Sequence, residues 1–151
     1  MPTSLQWSLT RSAGGSDFSK WIDALTGGLG YAHAFVFDND LHLTYESWFP
    51  KGLRAVQRDP NLEREILFDF PNFDGERERE MRRLITFLCG DHRGYDSNGA
   101  LRLAGLPLVS QDEDSFFCSE AVVTFGQAAG YFPGVDPWDI SPNAMPAMTI
   151  E

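Results

Sequence analysis

Apolar and polar residues alternate from Ser4 to Leu9, the period of a half-buried strand. From Ser16, a good N-cap, the spacing changes to Phe18, Trp21, Ile22 and Leu25, one face of a short helix that Gly27 and Gly28 end. Two β-prone runs follow, 31–37 and 41–46, flanking Asp38-Asn39-Asp40, and predict a hairpin. After a turn at Pro50-Lys51-Gly52, residues 53–57 and 65–70 read as two more strands. Asp74 is placed to cap a helix whose buried face is Met81, Leu84, Ile85, Leu88 and Cys89, and whose charged run from Glu76 to Arg83 is a solvated face with i,i+4 pairs. A polar loop at 90–99, a short helix at 100–106 and an acidic loop at 111–114 lead to the last strong pattern. There, Phe116-Phe117-Cys118 runs into a helix with Ala121, Val122, Phe125 and Ala129 on one stripe. The tail after Gly130 is rich in proline, with Trp138 and Met145 as anchors.

No repeat or linker divides these elements, and 151 residues suffice for one domain over 1–151 with a sizeable core. Charge narrows the partners. With 12 Lys+Arg against 22 Asp+Glu the net charge is −10, which repels phosphate backbones, and no basic stripe offsets it. Nucleic acid is therefore not an expected partner. No apolar run reaches the ~20 residues of a membrane span. No basic segment followed by an apolar block opens the chain, so a cytoplasmic address is expected.

The two cysteines, Cys89 and Cys118, are expected to be reduced thiols in that setting. Cys89 reads as a small core hydrophobe. Cys118 opens its helix, where free N–H groups and the positive end of the dipole favour a thiolate. A nucleophilic cysteine also needs a base. If Asn39 and Asp40 are the two central residues of the hairpin turn, 38 faces 41, and by the same sum His33 faces Glu46 on one side of the sheet. A carboxylate there fixes the tautomer of the imidazole and stabilises its protonated form. Spacing does not give the distance from Cys118 to this pair, and a buried cysteine beside an unrelated hairpin satisfies the same pattern. His42 and His92 read as surface. Three histidines and two cysteines at these spacings form no zinc pattern, and no glycine-rich phosphate loop follows a strand, so no metal or cofactor is expected.

The order of these parts resembles the circularly permuted papain-like hydrolases of the NlpC superfamily, the YiiX-like group. The resemblance rests on Tyr31-Ala32-His33-Ala34-Phe35-Val36, on Glu46 followed by Gly52-Leu53-Arg54, on Tyr95-Asp96, on Phe117-Cys118-Ser119-Glu120-Ala121-Val122 and on Ser141-Pro142. It implies an α+β, papain-like fold: an antiparallel sheet or partial barrel packed against the helix that carries the nucleophile. It further implies a peptidase or amidase with Cys118 as nucleophile, His33 as general base and then acid, and Glu46 as orienter. Tyr95, Asp96, Glu120 and Arg54 are candidates for substrate contact, with a plain turn, a dipole partner and a surface ion pair as the structural alternatives. A lipid-directed acyltransferase or thioesterase with the same triad, and a catalytically silent binding domain, are the other functions compatible with the pattern.

Overall fold

In the computed structural model, residues 3–11, 31–48, 52–57, 65–90, 94–95, 115–116, 118–148 and 150–151 are described. The alternating segments form five strands: β1 (Leu5–Arg11), β2 (Tyr31–Asp38), β3 (Leu43–Trp48), β4 (Gly52–Gln57) and β5 (Glu65–Asp69). They make one antiparallel sheet in the order β4-β3-β2-β1-β5, so three successive hairpin pairings are closed off by β5 on the far side of β1. Among the described residues, two α-helices, α1 (Gly75–Gly90) and α2 (Cys118–Ala128), follow the sheet strands. Between them, a two-residue strand β6 (Gly94–Tyr95) pairs in parallel with β7 (Ser115–Phe116), and both lie against β4. The architecture is α+β with an open sheet. The helix expected at Ser16–Leu25, the one at 100–106 and the acidic loop at 111–114 lie outside the described residues.

Alternation decides which side chains form the core. Leu5, Trp7 and Leu9 of β1, Ala34 and Val36 of β2, Tyr45 of β3 and Leu53 of β4 are buried with Met81, Ile85 and Leu88 of α1 and Ala121, Val122, Val123 and Phe125 of α2. Trp7 stacks on Phe68 of β5 with ring centroids 4.1 Å apart. Burial of each such large apolar side chain contributes about 1.5–3 kcal/mol. Residues of the opposite parity, among them Ser8, His33, Phe35, Phe37, Thr44 and Glu46, share the other face of the sheet.

Local signals explain the helix ends. Asp74 caps α1, its Oδ1 accepting from the N–H of Arg77 at 2.9 Å. The Glu78–Arg82 pair is the expected i,i+4 contact on the solvated face. At the end of α2, Gly130 takes φ 85 and the N–H groups of Gly130 and Tyr131 return to the carbonyls of Gln127 and Gly126, which is a Schellman closure. Gly126 is also required for space, because a Cβ there would lie 2.5 Å from the ring of Phe132. Trp138 and Met145, the anchors expected in the tail, are buried. Among the described residues no helix is long and apolar enough to cross a membrane.

The hairpin turn differs from expectation. Asp38 pairs with Leu43, not Leu41, so residues 39–42 form a four-residue loop in place of a two-residue turn. The buried Asp38 carboxylate causes this. Its Oδ1 accepts from the N–H groups of Asp40 and Leu41, and His42 closes the loop in the left-handed region at φ 54. The register sum therefore moves by two residues, an even number, and every side chain keeps its predicted face.

Candidate active site

His33 lies near the start of β2, where the strand is paired with β1 opposite Thr10. The ladder from β2 to β3 runs only from Asp38↔Leu43 to Val36↔Tyr45, so His33 is on the part of β2 beyond the pairing. Continued, that register would set Glu46 opposite Phe35, one step diagonal to His33. The imidazole Nε2 nevertheless comes to 3.4 Å from Glu46 Oε1. Glu46 is completely buried, and His33 retains 14% side-chain exposure.

The other oxygen of the carboxylate is taken by β4. Arg54 is directly opposite Glu46 in the β3–β4 ladder. Its Nε and Nη2 both donate to Oε2, at 3.0 and 2.7 Å. The structure thus places Arg54, a candidate for a substrate carboxylate, on an internal one. The same ladder pairs Trp48 with Gly52 and so brings 54 across from 46.

The thiol arrives from the helix. Cys118 is the first residue of α2 and is 94% removed from solvent, with 6% exposure. Its side chain meets the His33 imidazole closely enough to raise the pKa of that ring. Cys118, His33 and Glu46 are therefore contiguous, with Arg54 behind the carboxylate. Glu120, in the first turn of α2, is buried near the positive end of the helix dipole. Tyr95 lies in β6, which runs beside the segment that delivers the chain to Cys118. Asp96 lies outside the described residues.

Electrostatics follow from these contacts. Burial alone would lower the pKa of His33, but its hydrogen bonds to Cys118 and Glu46, and the negative charges of both, outweigh burial and raise it to about 9. Burial would raise the pKa of Glu46, but His33 and Arg54 hold it down to about 2. At neutral pH the site contains a protonated imidazole beside an ionised carboxylate. Cys89 differs: burial pushes its thiol up to about 11, as suits a packing residue.

The tail ties the two sides of the site together. Ser119, next to the thiol, donates its hydroxyl hydrogen bond to the carbonyl of Ile140. Asn143, also buried, accepts at Oδ1 from the N–H of Tyr31 at 3.0 Å, two residues before His33. Residues 140–143 thus bridge the first turn of α2 and the first residue of β2. The Ser141-Pro142 pair marked this stretch in the sequence, but the roles of its neighbours needed the tertiary contacts. No family model, no curated protein and no solved structure matches the chain.

Proposed function

We propose that the protein is a cysteine hydrolase of the peptidase or amidase type, with Cys118 as nucleophile, His33 as proton carrier and Glu46 as orienter. The supporting observation is one imidazole shared between a thiol at a helix N-terminus and a buried, ionised carboxylate. With Nε2 held by Glu46, Nδ1 is the nitrogen left for the sulfur. The thiolate attacks the substrate carbonyl, forming a C–S bond and pushing electrons onto oxygen. The N–H of Cys118 is a donor to that oxygen. Collapse breaks the C–N bond, and the imidazolium gives its proton to the leaving amine. Water, deprotonated by the now neutral imidazole, attacks the thioester; the carboxylic acid leaves and the thiolate returns.

An amide substrate is favoured by the resemblance to NlpC-type enzymes, and a helix packed on an antiparallel sheet is compatible with their papain-like fold. Alkylation by iodoacetamide, followed by peptide-resolved mass spectrometry, tests the reading, with Cys89 as the internal control. Cys118 is expected to react at lower pH than an ordinary thiol, which titrates near ~8.5. A profile for Cys118 that rises only in the alkaline range would mark a silent domain and end the proposal. Peptide, amide and acyl substrates, each run against Cys118→Ala, then separate amide hydrolysis from acyl transfer.

A further inference from the structure

We infer that Arg54 is a positioning residue of this site: by taking Oε2 of Glu46 with two donors it keeps the carboxylate ionised and turns Oε1 toward His33. The inference rests on the hydrolase reading for its consequence in catalysis, but its geometry does not. Glu46 is completely buried, and an isolated carboxylate at such a position would favour its neutral form. A neutral Glu46 could no longer stabilise an imidazolium. It would also rotate freely between His33 and any other partner. Two charge-assisted hydrogen bonds to one oxygen remove both options. The fork geometry is specific to a guanidinium, since a lysine offers a point charge that cannot hold the carboxylate plane. The register provides this side chain directly, because Arg54 and Glu46 are opposed across β3 and β4.

The test compares Arg54→Gln and Arg54→Lys in the full chain, with circular dichroism to verify folding. Two readouts are used. One is the acid edge of Cys118 alkylation; the other is the ring signal of His33 followed by NMR against pH in a Cys118→Ala background. The second needs no reactive thiol. In Arg54→Gln, Glu46 should take up a proton at about pH 4 to 6, the range of a buried carboxyl relieved of its cation. The ring signal then gains an inflection there, and the alkylation edge moves up by at least about one pH unit. Arg54→Lys should restore the edge in part. A merely structural arginine would lower the melting temperature and leave both profiles in place, which would overturn the inference. If Arg54→Gln does not fold, Arg54→Lys decides alone: an unshifted profile overturns the inference and a shifted one supports it. If wild-type Cys118 behaves as an ordinary thiol while the ring inflection still follows Arg54, the hydrolase reading fails and the positioning role stands.

Discussion

Glu46 reaches His33 on the diagonal, Oε1 to Nε2 at 3.4 Å, and not from the position directly across the hairpin. The contact spans a place where β2 and β3 are no longer paired, so it is held by side chains alone. Arg54 on one side and Cys118 on the other give each partner a second contact. The site is a chain of four side chains from three strands and a helix.

Replacing the central carboxylate tests that chain. Glu46→Gln keeps the shape and removes the charge, leaving the Arg54 guanidinium facing a neutral amide. Losing one member of a buried ion pair costs about 3–5 kcal/mol, reduced here because Arg54 is part exposed. His33 loses one of the two groups that raise its pKa. Cys118 alkylation near pH 6 is expected to drop by about tenfold, one pKa unit being worth 1.36 kcal/mol. Equal rates in a folded variant would show that Glu46 does not tune the imidazole.

The pH dependence of stability has a definite sign on each side. The folded pKa of His33 is raised, from 6.5 to about 9, so its contribution is complete below 6.5 and is lost as pH climbs through about 9. Glu46 is depressed, from 4.5 to about 2, so its contribution is complete above 4.5 and disappears as pH falls through about 2. Melting temperature should therefore be highest between 4.5 and 6.5 as far as this pair is concerned. In Cys118→Ala the alkaline decline should begin at lower pH, because the thiol is one of the groups holding His33 up. Thermal melts from pH 3 to 10 on both proteins measure this; coincident alkaline limbs would contradict it.

Asn143→Ala removes the acceptor for the N–H of Tyr31. The donor is part-buried, so losing this acceptor costs about 1 kcal/mol. Because that donor is two residues from His33, the loss should also blur the register of the imidazole. We expect a lower midpoint in urea and a several-fold slower alkylation of Cys118 at pH 6–7. A stability loss with unchanged alkylation would mean that the tail anchors the fold but not the site.

At the opposite end of the hairpin, Asp38 is fully buried and accepts from Tyr45, from Arg82 and from the loop N–H groups. Burial resists its charge, but these donors hold the carboxyl below its usual range. Asp38→Ala should cost about 1–3 kcal/mol by leaving the Tyr45 hydroxyl and two loop N–H groups without their acceptor, while the part-exposed Arg82 keeps Glu78 and Asp40. Denaturation in urea reads the loss. His33 and Cys118 are not among its partners, so alkylation of the folded fraction should be unchanged.

These contacts also explain what could be read without coordinates. The helix of Cys118 and the cap at Asp74 were legible because each depends on residues within one or two turns. The shared face of His33 and Glu46 was legible through parity, which survives an even error in the turn. The turn itself was not. Its four-residue form depends on Asp38, whose carboxylate is fixed by Arg82 from a helix far along the chain. Arg54 was ambiguous for a similar reason: a basic residue on a strand reads as surface until the register gives it a buried anion. Asp96 and the acidic loop before Cys118 lie outside the described residues.

The bridge formed by residues 140–143 has a consequence for biosynthesis. A nascent chain truncated before residue 140 contains the thiol, the imidazole and the carboxylate but lacks the segment that fastens the helix and the strand bearing them. Until that segment is made, the start of the helix and the first residue of the strand lack this fastening. A chain that ends at residue 135 should therefore hold the start of α2 and the first residue of β2 less firmly, read as a lower midpoint in urea than that of the full chain.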